Sequence, residues 1–215
     1  MIGNAANTAA AMAMISDCKF AATQSIRIRF LTKVGNDSIG QQLADELSDA
    51  GVDTSSPLFM RVGTKTAFTT IIVSEEECTR TCIHTPGSCG ELSLDDVRCV
   101  DLNQVFEDVV HLHSDSRHTE AALYLALEAK SRGVRVSLDC EKDRSTTNLD
   151  RLLEVCDILF TNAQHLSSYM SRREHEMQQM HNRIPLPKPR TISTLVGKVS
   201  KMLYCLLIRS KDNWL

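Results

Sequence analysis

The sequence predicts an α/β fold built on a parallel sheet with helices on both faces. Between Val109 and Thr161, short runs rich in Val, Ile and Leu alternate with helical stretches of about a dozen residues, which is the pattern of βαβ crossovers. Two helical stretches run into glycines, Gly51 and Gly133, where a chain leaves a helix through a left-handed residue. The β-rich runs Thr66–Ser74 and Thr79–Thr85 flank the acidic triplet Glu75-Glu76-Glu77, and this spacing predicts a hairpin set beside the parallel sheet.

Taken in order, Ala5 to Met14 is almost all Ala and Met after the small-residue turn Gly3-Asn4-Ala5, so a buried helix is expected there. Ile26 to Val34 alternates apolar and basic residues and stops at Gly35, which predicts one strand. Ile39, Leu43, Ala44 and Leu47 mark the next helix, closed by Gly51. Ser93 and Asp96 form a capping box with Asp in place of Glu, opening a short helix. The remainder reads as strand Val109–His113, helix Thr119–Arg132, strand Val134–Cys140, helix Asn148–Val155 and strand Ile158–Thr161. In a parallel sheet, ligands sit beyond the carboxyl ends of the strands, which directs attention to His113-Ser114, Asp139-Cys140 and Thr161-Asn162.

The chain has 215 residues and a formal charge of -3, but the charge is unevenly spread. Residues 1–170 carry 15 Lys/Arg against 24 Asp/Glu, whereas residues 171–215 carry 9 against 3. The acidic part argues against nucleic acid as a partner, because phosphate binding needs clustered Lys and Arg. The eight cysteines contain no CxxC pair, and most fall in apolar or strand-like runs, so reduced thiols and a cytoplasmic location are expected. Residues 1–15 lack the basic start of a signal peptide. The run Met202–Ile208 is far shorter than the ~20 residues that cross a bilayer, so no transmembrane segment is expected. After Met170 the alternation stops: residues 171–192 read as a polar linker with Pro185, Pro187 and Pro189, and residues 193–215 as a basic amphipathic tail.

Gly3-Asn4-Ala5-Ala6-Asn7 pairs a residue without a side chain with two amides that both donate and accept, a set suited to sugar hydroxyls or to a plain helix start. On its own, Arg80 reads as a solvent-facing hairpin charge. His111 and His113 share one face of a strand, but two ligands without a third make a poor metal site, so none is expected.

Together, Ile2-Gly3-Asn4-Ala5-Ala6-Asn7, Thr32-Lys33-Val34-Gly35-Asn36-Asp37-Ser38-Ile39-Gly40 and Gly51-Val52-Asp53-Thr54 resemble, in order and spacing, the ribokinase-like (PfkB-type) carbohydrate kinases. Thr79 to Gly87 resembles their ketohexokinase-like branch. The resemblance runs from Gly3 to Met170. It implies a three-layer α/β/α sandwich with a small β lid over about residues 58–85, and a kinase domain over residues 1–170. It also implies ATP and Mg²⁺ as cofactors, a small sugar as substrate, and pairing of two copies through the lid. Carried over by residue, it makes Gly3, Asn4, Asn7 and Arg80 sugar contacts and places Asn162 on the ATP and Mg²⁺ side. Asn162 matches the Asn of an Asn-x-x-Glu motif whose last position here is His165. Ser114-Asp115-Ser116-Arg117 stands where relatives carry sugar-contacting or structural residues.

The family takes its anion hole and catalytic base from a late Gly-Ala-Gly-Asp turn. No Gly-x-Gly-Asp occurs in these 215 residues. The family's first strand and acidic sugar ligand also have no counterpart before Gly3. The sequence therefore leads to a fold incomplete at both ends and to no catalytic residue. Three readings follow: an ATP-dependent sugar kinase by family, a non-catalytic sugar-binding remnant as this chain alone, or an interaction protein that docks through its basic tail.

Overall fold

The computed structural model describes residues 4–17, 26–54, 58–61, 63–141 and 147–183. Gly3, the expected tail at 193–215 and the Pro-containing half of the expected linker lie outside them. The chain opens on α1 (Asn4–Asp17), then β1 (Ile28–Arg29), β2 (Thr32–Gly35), α2 (Ser38–Asp49), β3 (Val52–Asp53) and β4 (Leu58–Arg61). The hairpin β5 (Phe68–Ser74) and β6 (Thr79–Thr85) follows, then the short helices α3 (Leu94–Arg98) and α4 (Leu102–Phe106). The last part alternates as β7 (His111–Ser114), α5 (Thr119–Ser131), β8 (Arg135–Cys140), α6 (Thr147–Val155), β9 (Ile158–Thr161) and α7 (Ala163–Arg183).

β7, β8 and β9 lie side by side in sequence order, all parallel, with α5 and α6 as the crossovers. Side chains alternate across a strand. Accordingly, Leu112, Val136, Leu138, Cys140 and Leu159 share one face and join Leu123, Leu125, Ala126, Leu149 and Leu152 in the main core. The α/β class is thus as expected, and so are the glycine exits, with Gly51 at φ 87° and Gly133 at φ 74°. The capping box also forms: Ser93 Oγ accepts from Asp96 N, and Asp96 Oδ2 accepts from Ser93 N.

Several expectations require correction. The single strand expected over 26–34 is two, because β1 pairs with β3 and β2 with β4, each in parallel register. β4, at the start of the segment expected to form the lid, hydrogen-bonds β2, and the hairpin of β5 and β6 forms its own two-stranded sheet. One face of β7–β9 packs into the main core, and the other carries His111, His113, Arg135, Ser137 and Phe160, of which Ser137 is buried and Phe160 51% exposed. The polar stretch from Ser171 is helical and continues α7 to Arg183 without a break. It is held by ion pairs: Arg172 reaches Asp150 on α6 at 2.9 Å and Glu176 one turn on at 3.0 Å. The arginine also lies over the Tyr169 ring.

A second, smaller core forms where Ala6, Ala9 and Ala13 of α1 meet Leu47 of α2 and Val52 of β3. Two cations in the segment from β1 to β2 tie this unit to the rest. Arg29 Nη1 donates to the carbonyls of Gln104, Val105 and Glu107 at 3.0–3.3 Å, satisfying the free carbonyl end of α4. Lys33 Nζ meets Asp96 Oδ2 at 2.7 Å and donates to Glu91 O, with both charged side chains under a tenth exposed. Between them, Leu31 packs onto the main core.

At the end of β2 three backbones come into contact. A Cβ added to Gly40 would fall on Gly35 O and lie 2.8 Å from Thr66 Oγ1. One added to Gly87 would strike the backbone of Lys65 and Ala67. Gly→Ala inside a helix ordinarily stabilises by up to ~1 kcal/mol. At Gly40 the sign should reverse: Gly40→Ala is expected to lower unfolding free energy by about 1–3 kcal/mol through overpacking. Urea denaturation, with Gln42→Ala on the exposed side of α2 as the control, reads the difference.

Candidate functional site

Two regions concentrate polar chemistry. The first is the junction between the turn from β2 to α2 and the root of the hairpin. Asp37 caps α2: its Oδ1 accepts from Gly40 N at 3.0 Å and from the Thr66 hydroxyl at 2.6 Å, and its Oδ2 accepts from Thr66 N at 3.1 Å. The Thr66 hydroxyl in turn accepts from Gly35 N at 2.9 Å. The Thr66 hydroxyl bond, then the Gly40 N–H, hold the Asp37 carboxyl below the usual carboxylate range, against a smaller opposing effect of burial. On the hairpin side, Lys65 O accepts from Ser88 N and Cys89 N, and Lys65 N donates to Ser88 Oγ. Both legs of the hairpin are therefore pinned to the same point.

The second region is the carboxyl edge of β7–β9. Asn162 sits at the head of α7: its Oδ1 accepts from His165 N at 2.7 Å and its Nδ2 donates to Glu141 O at 3.1 Å. Beside it, Thr161 Oγ1 donates to Cys140 O. Burial raises the Asp139 carboxyl, with the Glu141 charge adding to it and His113 opposing. The loop from β7 to α5 holds two non-glycine residues in left-handed conformation, Ser116 (φ 58°) and His118 (φ 50°), and Ser116 is 2% exposed. Such conformations cost of order 1–3 kcal/mol each and concentrate at functional edges. Asp115 lies in this loop and accepts from Arg117 N.

The expected sugar contacts fall on separate elements. Asn4 begins α1, and Asn7 lies one turn in, exposed between the buried Ala6 and Ala9. Arg80 is exposed on β6 opposite Val73. Asn162 lies at the strand-end edge, where it serves as a helix cap. The sequence reading missed Asp37 and Thr66, whose 29-residue separation hides their contact. It also missed Ser137, which bonds both His111 and His113. Strand period did signal that the two histidines share a face. Among the described residues no group of three or more His, Cys, Asp and Glu side chains is placed to hold a metal ion. None of their helices is long and apolar enough to cross a membrane. The described cysteines are free thiols, and burial pushes that of Cys156 up to about 11.

A parallel sheet with βαβ crossovers, a rooted hairpin and a polar strand-end edge define the chain as one of the ribokinase-like α/β folds. The model of the pfkB family carbohydrate kinases matches residues 3–198, and the chain belongs to that family. The match runs past Met170, where the motif resemblance stops. Among solved structures, the chain is similar to 2-dehydro-3-deoxygluconokinase from Thermotoga maritima (18% identity, TM-score 0.62, 79% of this chain and 52% of that one). It is also similar to fructokinase from Xylella fastidiosa (21%, TM-score 0.56, 73% and 49%). A third is an uncharacterized sugar kinase from Pyrococcus horikoshii in complex with ATP (18%, TM-score 0.56, 73% and 52%). The chain thus spans about half the length of the structures it matches. No curated protein matches it significantly.

Because the Asp37 carboxyl is held low in the folded state, the stability it contributes is present above the ordinary carboxylate range and is lost as pH falls through the folded value. Thr66→Val removes the hydroxyl bond and is expected to move the Asp37 carbon-detected titration upward. It should also flatten the acid limb of the stability curve and lower neutral-pH stability by about 1–3 kcal/mol, since the buried Gly35 N–H loses its partner.

Proposed function

We propose that this chain is the acceptor-binding half of an ATP-dependent carbohydrate kinase of the ketohexokinase-like branch. Gly3, Asn4, Asn7 and Arg80 contact a small sugar, and the hairpin of β5 and β6 covers it. The observation that carries the reading is the build of the hairpin. Its root is fixed at Thr66, while every described residue of β6 is exposed, so the blade is wet on both faces and has something still to close on. A cover of this kind excludes water from a phosphoryl acceptor. Family membership supports ATP as the donor, with Mg²⁺ carried by the nucleotide and Asn162 on that side of the cleft.

For phosphoryl transfer by these 215 residues alone, a specific observation favours the non-catalytic reading. The Gly-x-Gly-Asp sequence that would supply the anion hole and base does not occur among them. A cytoplasmic location belongs to the same proposal, and the free thiols of the described cysteines support it. Pairing of copies through the hairpin is supported by its exposed apolar residues Ile72 (56%), Val73 (65%) and Ile83 (51%).

Calorimetric titration with a panel of free pentoses, hexoses and nucleosides tests the assignment. One class should bind, at least ~10-fold weaker in Asn7→Ala and Arg80→Ala with the fold unchanged by circular dichroism, one lost contact being worth about 1.4 kcal/mol. No ADP should form from ATP and Mg²⁺. Wild-type affinity in both variants would remove the site, and turnover abolished by Asn7→Ala would overturn the non-catalytic reading. Sedimentation equilibrium checks the pairing: Ile72→Asp should shift a dimer to monomer.

A further inference from the structure

On the face of β7 and β8 away from the main core, one serine hydroxyl lies between two imidazoles. Ser137 Oγ is 2.7 Å from His111 Nε2 and 2.8 Å from His113 Nδ1. The serine is 1% exposed, so water does not replace either partner. His113 also meets the edge of the Phe160 ring, at 6.0 Å between centroids, which fixes its plane. The register pairs His111 with Arg135 and His113 with Ser137, so the serine joins two successive residues of the β7 face to β8.

Elementary hydrogen-bond counting constrains this arrangement. A serine hydroxyl has one proton to donate and lone pairs to accept with, and a neutral imidazole has one N–H and one bare nitrogen. Among the described residues the two imidazoles are the only partners of Oγ, so its proton is placed only if one imidazole donates N–H to Oγ while the other accepts the O–H. If His111 donates from Nε2, His113 accepts at Nδ1 and carries its own proton on Nε2. If His113 donates from Nδ1, His111 accepts at Nε2 and carries its proton on Nδ1. In either case the two rings are in the same-named tautomer. One added proton fits, because an imidazolium still donates to Oγ and the other ring still accepts. A second leaves Oγ facing two N–H donors with its own proton unplaced, and sets two cations around one buried oxygen.

We propose that His111, Ser137 and His113 form a hydrogen-bonded clamp between β7 and β8 that accommodates one added proton, and that a second proton opens it. The charged groups around it agree. Facing His111 are Arg135 on β8, which disfavours a proton, and Asp157 before β9, which favours one and is itself tied to Lys130 and to Val136 N. Facing His113 are Asp115 at the end of β7 and Asp139 on β8, with Glu141 beyond it. Burial is the largest influence on both imidazoles and holds each below its ordinary value, and the two also repel one another's charge. Their folded values lie below the unfolded one, so the unfolded chain takes up protons first. The stability contributed by the clamp is therefore complete above the ordinary imidazole value of ~6.5 and declines as pH falls below it. The carboxylates of Asp139 and Asp115 favour a proton on His113, while the charges of His113 and Arg135 disfavour one on His111. Because β7 leads directly into the loop of Ser116 and His118, an opened clamp frees the strand-end edge. None of this depends on which sugar, if any, the chain binds.

Long-range ¹H–¹⁵N spectra of the histidine rings, recorded on the ¹⁵N-labelled full chain from pH 8 to pH 4.5, test the proposal. At pH 8 the two rings should be unmixed and in matching tautomers, and on acidification they should protonate in two steps separated by at least about one pH unit. The second step should coincide with loss of amide-exchange protection in β7 and β8. Ser137→Ala should release both rings into tautomer mixtures. Should that variant fold poorly, His111→Ala at the exposed end of the clamp should leave His113 titrating in a single step close to the first of the wild type. Opposite or mixed tautomers in the wild type would overturn the proposal, as would simultaneous protonation of both rings.

Discussion

The side chain of Thr66 occupies the point at which three pieces of backbone meet, and most of the N-terminal part of the fold depends on its hydroxyl. It accepts from the last residue of β2 and donates to the residue that caps α2, while its own N–H goes to the second oxygen of that cap. A hydroxyl is needed because it alone combines both roles in so small a volume. The room for it comes from Gly35, Gly40 and Gly87, each of which presents bare backbone to the residues from Thr64 to Ala67. The direction in which β2 ends, the start of α2 and the take-off of the hairpin are thus one decision and not three.

A second theme is the division of labour in the segment from β1 to β2. Its apolar residues alternate between the two cores: Ile28 and Phe30 turn to the small core under α1, and Leu31 to the large one. Its basic residues do not simply face water, as period-2 alternation would suggest. Arg29 closes the carbonyl end of α4, and Lys33 is buried against the aspartate that also caps α3. A five-residue helix has few internal hydrogen bonds of its own. Besides the packing of Val97 and Phe106 into the main core, α3 and α4 are held by one cation each from β2 and β1, and removing either cation would leave a buried charge or an orphaned helix end.

How much of this was legible in the sequence depended on the range of the interaction. The helix Thr119–Ser131 with Gly133 after it, the capping box of Ser93 and Asp96, and the hairpin around Glu75-Glu76-Glu77 are each specified within a few residues, and each formed as read. The partner of Leu58–Arg61 was not legible, since a strand of four residues does not state which neighbour it will pair with. Ser171–Arg183 looked like linker because its helical content rests on charge pairs to α6 and along its own face, not on an apolar stripe. In the site, the family motifs pointed to Asn7, Arg80 and Asn162, and the cap role of Asn162 followed only from coordinates. The bond from Ser137 to two histidines crosses between strands 24 and 26 residues apart, where no local pattern announces it.

The junction at Thr66 also has an entropic side. Its contacts to Asp37 close a loop of 29 residues, and those of Arg29 to α4 close loops of 75 to 78. Closing such loops costs chain entropy before any packing rewards it, and a two-stranded hairpin standing alone in water is marginal at best. The hairpin therefore depends on the surface of β2 and α2 on which it is rooted. The contacts that root the hairpin thus span 23 to 31 residues of chain, as non-local as the strand crossovers of β7 and β8, and its strands persist only in company with the rest of the N-terminal unit.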